Sequence, residues 1–136
     1  MIQFFNEDCN YTIVCKKEIT KKVLYLVESE GFKLECINII LCSDLYLLDI
    51  NRNYLNHDYF TDIITFDQSD EQNQIEGDLF ISIDRIKENS QLNKCSHIVE
   101  LQRVILHGVL HLAGYKDKTN KEKSIMRTKE DFYLNY

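Results

Sequence analysis

Residues Arg103 to Asp117 read R-V-I-L-H-G-V-L-H-L-A-G-Y-K-D. His107 and His111 stand four residues apart in an apolar run, so on a helix turning about 100° per residue both imidazoles leave nearly one face. That is the geometry of a chelating pair. Gly114 follows three residues later, and glycine accepts the left-handed backbone that ends many helices. The chain can turn back there, and Asp117, six residues beyond His111, can return an oxygen toward the space the imidazoles share.

Outward from this corner, a long helix begins near Ser96 and carries Ile98, Leu101, Ile105 and Leu112 for packing. Beyond the corner, Thr119 to Glu122 spells a capping box, in which hydroxyl and carboxylate each satisfy the other's free amide. A last helix follows, with Ile125, Met126, Lys129, Phe132 and Tyr133.

Upstream, Phe4-Phe5 and Tyr11 to Cys15 have strand character, interrupted by Asn6-Glu7-Asp8, and read as an edge element. Ile19, Val23, Leu26 and Val27 recur at helical spacing through Glu18 to Glu30, with Gly31 as the C-terminal stop. From Leu34 to Cys42 both parities are largely apolar, which predicts a strand covered on two sides. Ser43 caps a helix running from Asp44 toward Tyr54. Thr61 to Phe66 is a third strand, an acidic loop follows and ends at Gly77, and Asp78 to Ile83 is a fourth strand. Asp84 then caps a short helix toward Gln91. Four strands interleaved with about five helices predict an α/β (α+β) domain over residues 1–136, around a small mixed sheet that permits a hairpin between the last two strands.

A chain of 136 residues with 44% hydrophobic content builds a core without staples. Cys9, Cys15, Cys36, Cys42 and Cys95 form no C-x-x-C pair, and their odd number argues against a disulfide framework. They read as reduced, mostly buried thiols. The start lacks a basic leader, and no apolar run of about 18 residues occurs, so a cytoplasmic protein without a membrane partner is expected.

The net charge is −6, which weighs against nucleic acid, because phosphate contacts with Lys and Arg supply most such affinity. The distribution is uneven. Lys116, Lys118, Lys121, Lys123, Arg127 and Lys129 face only Asp117 and Glu122 in their segment, whereas Asp67, Asp70, Glu71, Glu76 and Asp78 have no basic neighbour. Either cluster can be plain solvated surface.

Two histidines at this spacing can also be hydrogen-bonded core residues. The glycine three residues on and the oxygen six residues on extend them into the spacing of zincin motifs, where a third ligand follows a glycine turn. Zinc accepts imidazole nitrogen and carboxylate oxygen, and three protein ligands leave a fourth position for water. The residue after the first histidine, glutamate and general base in zinc proteases, is Gly108 here.

The line H-G-V-L-H-L-A-G-Y closely resembles the H-G-x-L-H-L-x-G-Y signature of the YbeY family, metal-dependent endoribonucleases. T-D-I-I-T-F (Thr61–Phe66), with the helix end before it, resembles the family's T-D-V-L-S-F strand, G-D-L-F-I-S (Gly77–Ser82) its G-D-I-x-I-S strand, and Glu100-Leu101 the E-L ahead of the histidines. The resemblance covers about residues 35 to 130. It implies one zinc ion, with Mn²⁺ or Mg²⁺ as alternatives, on the H-x-x-x-H helix, activating water or polarising the phosphodiester of single-stranded RNA. It also implies a role in ribosomal RNA maturation at the 3′ end of the small-subunit RNA and in ribosome quality control, with ribosomal particles, ribosomal proteins or assembly GTPases as partners. Two positions depart from the family: Asp117 stands in place of its usual third histidine, which makes the site harder, and Leu55 stands where it generally has arginine, so a phosphate-binding guanidinium is missing.

His107, His111 and Asp117 are thus the expected metal ligands, and Arg103, Lys116, Lys118 and Lys121 the expected RNA contacts, with His57 a further one. The general base is open among Asp62, Asp78 and Glu100. Asp62 and Asp78 can instead anchor loops, Glu100 can hold a supporting hydrogen bond, and His57 and His97 read as surface residues. Tyr115 reads as packing. Two other readings use the same residues: a non-catalytic metal-binding ribosome-assembly factor, and a zincin-like hydrolase of another substrate.

Overall fold

The chain is organised on β2 (Lys33–Cys42). Along it Ile37, Ile39 and Leu41 are buried on one face and Ile40 and Cys42 on the other, as a doubly covered strand requires. In the computed structural model, which describes residues 1–136, β1 (Ile2–Asn6), β3 (Ile63–Asp67) and β4 (Gln74–Ser82) complete one sheet in the order β1-β2-β4-β3. β1, β2 and β4 run parallel, and β3 pairs antiparallel with β4 as a hairpin. The sheet is mixed, with β1 at one edge.

Five helices cover it: α1 (Lys16–Ser29), α2 (Asp44–Leu55), α3 (Ile83–Leu92), α4 (His97–Leu112) and α5 (Asn120–Leu134). Four of the five, all but α1, start at a hydroxyl side chain. Ser43, Ser96 and Thr119 accept from Tyr46, Val99 and Glu122 amides respectively, and Glu122 completes the reciprocal bond at Thr119. The faces of the sheet differ in depth. Ile37, Leu79 and Ile81 pack with Val23 and Leu26 of α1, Ile105 and Val109 of α4, and Met126 and Tyr133 of α5 in one large core. On the other face Leu47 of α2 meets Cys42 and Ile64 in a small cluster, with Tyr46, Ile50, Phe66 and Phe80 partly buried at their side.

The deep face places α4. Ten of its residues are buried, and Gly108 lets it approach the sheet: a Cβ there would lie 2.7 Å from Ile63 Cδ1 and 3.0 Å from Leu79 Cδ2. The glycine after His107 is thus a packing requirement against β3 and β4.

Four expectations are corrected. Residues 11–15 form no strand; Ile13 is buried against the core and Cys15 precedes α1. β4 starts at Gln74, so Gly77 lies inside a strand rather than ending a loop. Ile75, Gly77, Leu79 and Ile81 are buried in alternation with partly exposed Gln74, Glu76 and Asp78, and pairing to β2 and β3 overrides the poor strand propensity of the acidic residues. The α3 cap is Ser82, which accepts from the Arg85 amide, while Asp84 lies in the first turn and accepts from the Asp44 amide. The five thiols are free, but only Cys42 is buried, and burial pushes it up to about 12.

A candidate metal centre

His107 and His111 stand one turn apart in the last half of α4. The helix then closes with the Gly114 and Tyr115 amides donating to His111 and Leu110 carbonyls, both at 3.0 Å. Gly114 has φ +104°, which a side chain would strain. This turn swings Asp117 back beneath the helix end. The Thr119 capping box starts α5, which returns along α4 and presents Glu130, only 5% exposed, to the other side of His107.

Each imidazole is held from behind. His107 Nδ1 lies 2.7 Å from Glu130 Oε2, and His111 Nδ1 lies 2.9 Å from the Tyr115 carbonyl oxygen. A carbonyl and a carboxylate only accept, so each Nδ1 carries the proton and donates it. Both Nε2 atoms are then left as lone pairs, yet they stand 3.0 Å apart, and Asp117 Oδ2 lies 3.2 Å from each. Three electron-rich atoms converge on one point. Such a triangle repels itself unless a proton or a metal ion sits in it.

The dimensions suit a metal ion. Donors bound about 2.0–2.1 Å from a tetrahedral zinc stand about 3.3 Å apart, and the observed triangle has sides of 3.0, 3.2 and 3.2 Å. Among His, Cys, Asp and Glu side chains, these three form the group able to hold an ion. Burial works against charge on His107, but the Glu130 hydrogen bond and the charges of Glu130, Asp62 and Asp117 together hold its pKa above the ordinary imidazole value.

A polar cavity of about 260 Å³ opens beside His107, lined by Asp62, Asn89, Glu100, Arg103, Arg127 and Glu130 among others. Asp62 is the carboxyl that burial pushes upward, with His107 pulling the other way. Glu100 is buried and accepts from Asn93 Nδ2 at 3.0 Å. Asp78 does not line this cavity; it accepts from Asn38 Nδ2 at 2.9 Å and Gln68 Nε2 at 3.1 Å.

The basic residues divide. Arg103 is committed to Glu130 at 3.2 Å and Asp131 at 2.8 Å, whereas Lys116, Lys118 and Lys121 are exposed. His57 and His97 are exposed, and His57 bonds the Tyr59 hydroxyl. Leu55 is exposed at the end of α2.

Glu130 is the residue the sequence analysis missed. It shares a helical face with Met126 and Tyr133, both buried, and a charged residue on an apolar stripe is the signal that could have found it, because a buried carboxylate requires a partner. Tyr115 was read as packing, and its carbonyl proves to face a candidate ligand.

Known proteins resemble the chain along almost its whole length. A family model described as "Endoribonuclease YbeY" matches residues 2–136. A Cytophaga hutchinsonii protein named "Endoribonuclease YbeY" is 52% identical over 133 residues, covering 98% of this chain and 93% of that one. A Karelsulcia muelleri protein of the same name is 51% identical over 115 residues, covering 85% and 81%. A solution structure of a Thermotoga maritima protein superposes with a TM-score of 0.68 at 26% identity, over 99% of this chain and 87% of that one.

Proposed function

The chain belongs to the YbeY family of endoribonucleases, and from that premise we propose that it is a metal-dependent hydrolase cleaving single-stranded RNA during ribosomal RNA maturation, at the 3′ end of the small-subunit RNA, and in ribosome quality control. The observation that carries the metal is the triangle of His107 Nε2, His111 Nε2 and Asp117 Oδ2, with both Nδ1 atoms already engaged. A bound ion would supply Lewis acidity to a phosphodiester and acidify a water. Zinc fits the nitrogen pair, and the aspartate keeps manganese and magnesium as alternatives.

The protein's own groups do the rest. Glu130 and the Tyr115 carbonyl fix the imidazole tautomers and ring planes. Asp62, whose pKa burial raises, lines the cavity beside His107 and is the candidate to accept a proton there. Glu100, held by Asn93, supports the cavity wall. Lys116, Lys118 and Lys121, with Arg127 at the cavity mouth, screen backbone phosphates. Arg103 serves through Glu130 and Asp131, which already occupy its guanidinium. The whole of residues 1–136 forms the catalytic domain. It works in the cytoplasm on ribosomal particles, with ribosomal proteins or assembly GTPases as partners; no helix is long and apolar enough to cross a membrane.

The occupied Arg103 and the absence of a guanidinium at Leu55 favour one second reading, a metal-binding ribosome-assembly factor without cleavage. The test measures bound metal in purified protein, then compares wild type, His111→Ala and Asp117→Ala on structured ribosomal RNA. Cleavage that falls together with metal content is expected. Metal without cleavage in the wild type selects the assembly factor, and a metal-free wild type that takes up none on addition overturns the ligand assignment.

A further inference from the structure

Glu30 follows α1 directly, far from the histidines in sequence, and three donors converge on its carboxylate. The Tyr115 hydroxyl donates to Oε1 at 2.6 Å, Lys129 Nζ donates to Oε2 at 3.0 Å, and the Tyr133 hydroxyl also donates to Oε2. Lys129 Nζ also sits 5.5 Å from the centre of the Tyr115 ring. Burial works to raise the Glu30 pKa, yet the three donors hold it below the usual carboxylate value. The group is therefore an ionised acceptor, and charge-assisted bonds of this kind are the strong ones.

The cluster joins the end of α1, the turn after α4, and α5. Its leverage lies in Tyr115. That residue is gripped at three points: its amide donates to Leu110, its carbonyl accepts from His111 Nδ1, and its phenol donates to Glu30. The backbone just before it is unhindered, since Gly114 has φ +104° and a Cβ there would meet nothing within 4 Å. Without an anchor on the phenol, the turn would be free to rotate the carbonyl away from His111. The imidazole would then lose the partner that keeps Nε2 unprotonated and aimed, and Asp117, two residues on, would move with it.

We propose that Glu30 is a positioning residue for the metal centre: through the Tyr115 hydroxyl it locks the turn that selects the His111 tautomer and carries Asp117 into the donor triangle. This rests on the metal reading given above. It assigns a metal-tuning role to a carboxylate at the end of α1, far in sequence from every candidate ligand, and to a tyrosine whose phenol bonds none of them.

Cobalt(II) titration of the full chain tests it, with ligand-field absorption and chelator competition as readouts and thermal unfolding of the metal-free proteins as control. Tyr115→Phe and Glu30→Ala should each weaken cobalt binding about tenfold, the low end for outer partners of metal ligands, and shift the cobalt absorption. Tyr133→Phe removes a hydrogen bond from the same carboxylate without touching the turn, and should stay within about twofold of wild type. Wild-type affinity in Tyr115→Phe overturns the proposal. So does an equal loss in Tyr133→Phe, which would make Glu30 a simple staple between helices. A wild type that takes up no cobalt gives a different signature, and overturns the metal reading on which the proposal stands.

Discussion

The three donors of the candidate metal centre are held in two different ways. His107 and His111 ride on α4, whose inner face is locked into the deep core and whose approach to the sheet is set at Gly108. Asp117 hangs on a turn, with its side chain 39% exposed against 23% and 26% for the histidines. Packing thus supplies most of the precision for two ligands, and hydrogen bonding supplies it for the third. Helix-borne ligands should therefore resist perturbation far from the site, while the turn-borne one should be adjustable.

The largest effect should come from removing a helix-borne ligand. His107→Ala should abolish high-affinity metal binding, as followed by chelator competition, whereas Asp117→Ala should weaken it measurably and Asp117→His should retain it. Equal loss in all three would erase the distinction between helix and turn. Next comes Glu130→Ala, expected to weaken metal affinity by about 10–100-fold through the released imidazole of His107; Arg103 and Arg127 lose a partner in the same step. Gly108→Ala should cost roughly 1–3 kcal/mol in denaturant unfolding, as overpacking does. Because the obstructing atoms are side-chain methyls of Ile63 and Leu79, the low end is expected, and an unchanged midpoint would mean that α4 is less tightly seated than its contacts indicate.

The smallest effect is a pH dependence at the turn. The folded-state pKa of Glu30 lies below its ordinary value of 4.5, so its stabilising contribution is fully present above that value and is lost as pH falls through the folded pKa. The acid limb of the stability curve should therefore be shallower in Glu30→Gln than in wild type. Identical acid limbs would show that the three donors do not bias its ionisation.

The same division decided what could be read from the sequence. The helix-borne pair was legible because four-residue spacing in an apolar run fixes both the helix and its chelating face, and capping hydroxyls at Ser43 and Thr119 marked helix starts correctly. Asp117 was legible through Gly114. Glu130 and Glu30 were not, because their significance lies in contacts across 23 and 85 residues of chain with His107 and Tyr115, and no local pattern encodes which distant polar group will meet them. The strand errors have a similar origin: the acidic residues around Glu76 look like loop until two neighbouring strands pair with them, and residues 11–15 look like strand until no neighbour does.

Glu130 belongs to the last helix, thirteen residues beyond Asp117 in the chain. A growing polypeptide therefore carries both histidines and the aspartate before it carries the group that orients His107. On the metal reading proposed above, a product halted before Glu130 should hold an ion more weakly than the full chain, because the His107 imidazole would lack its Nδ1 partner.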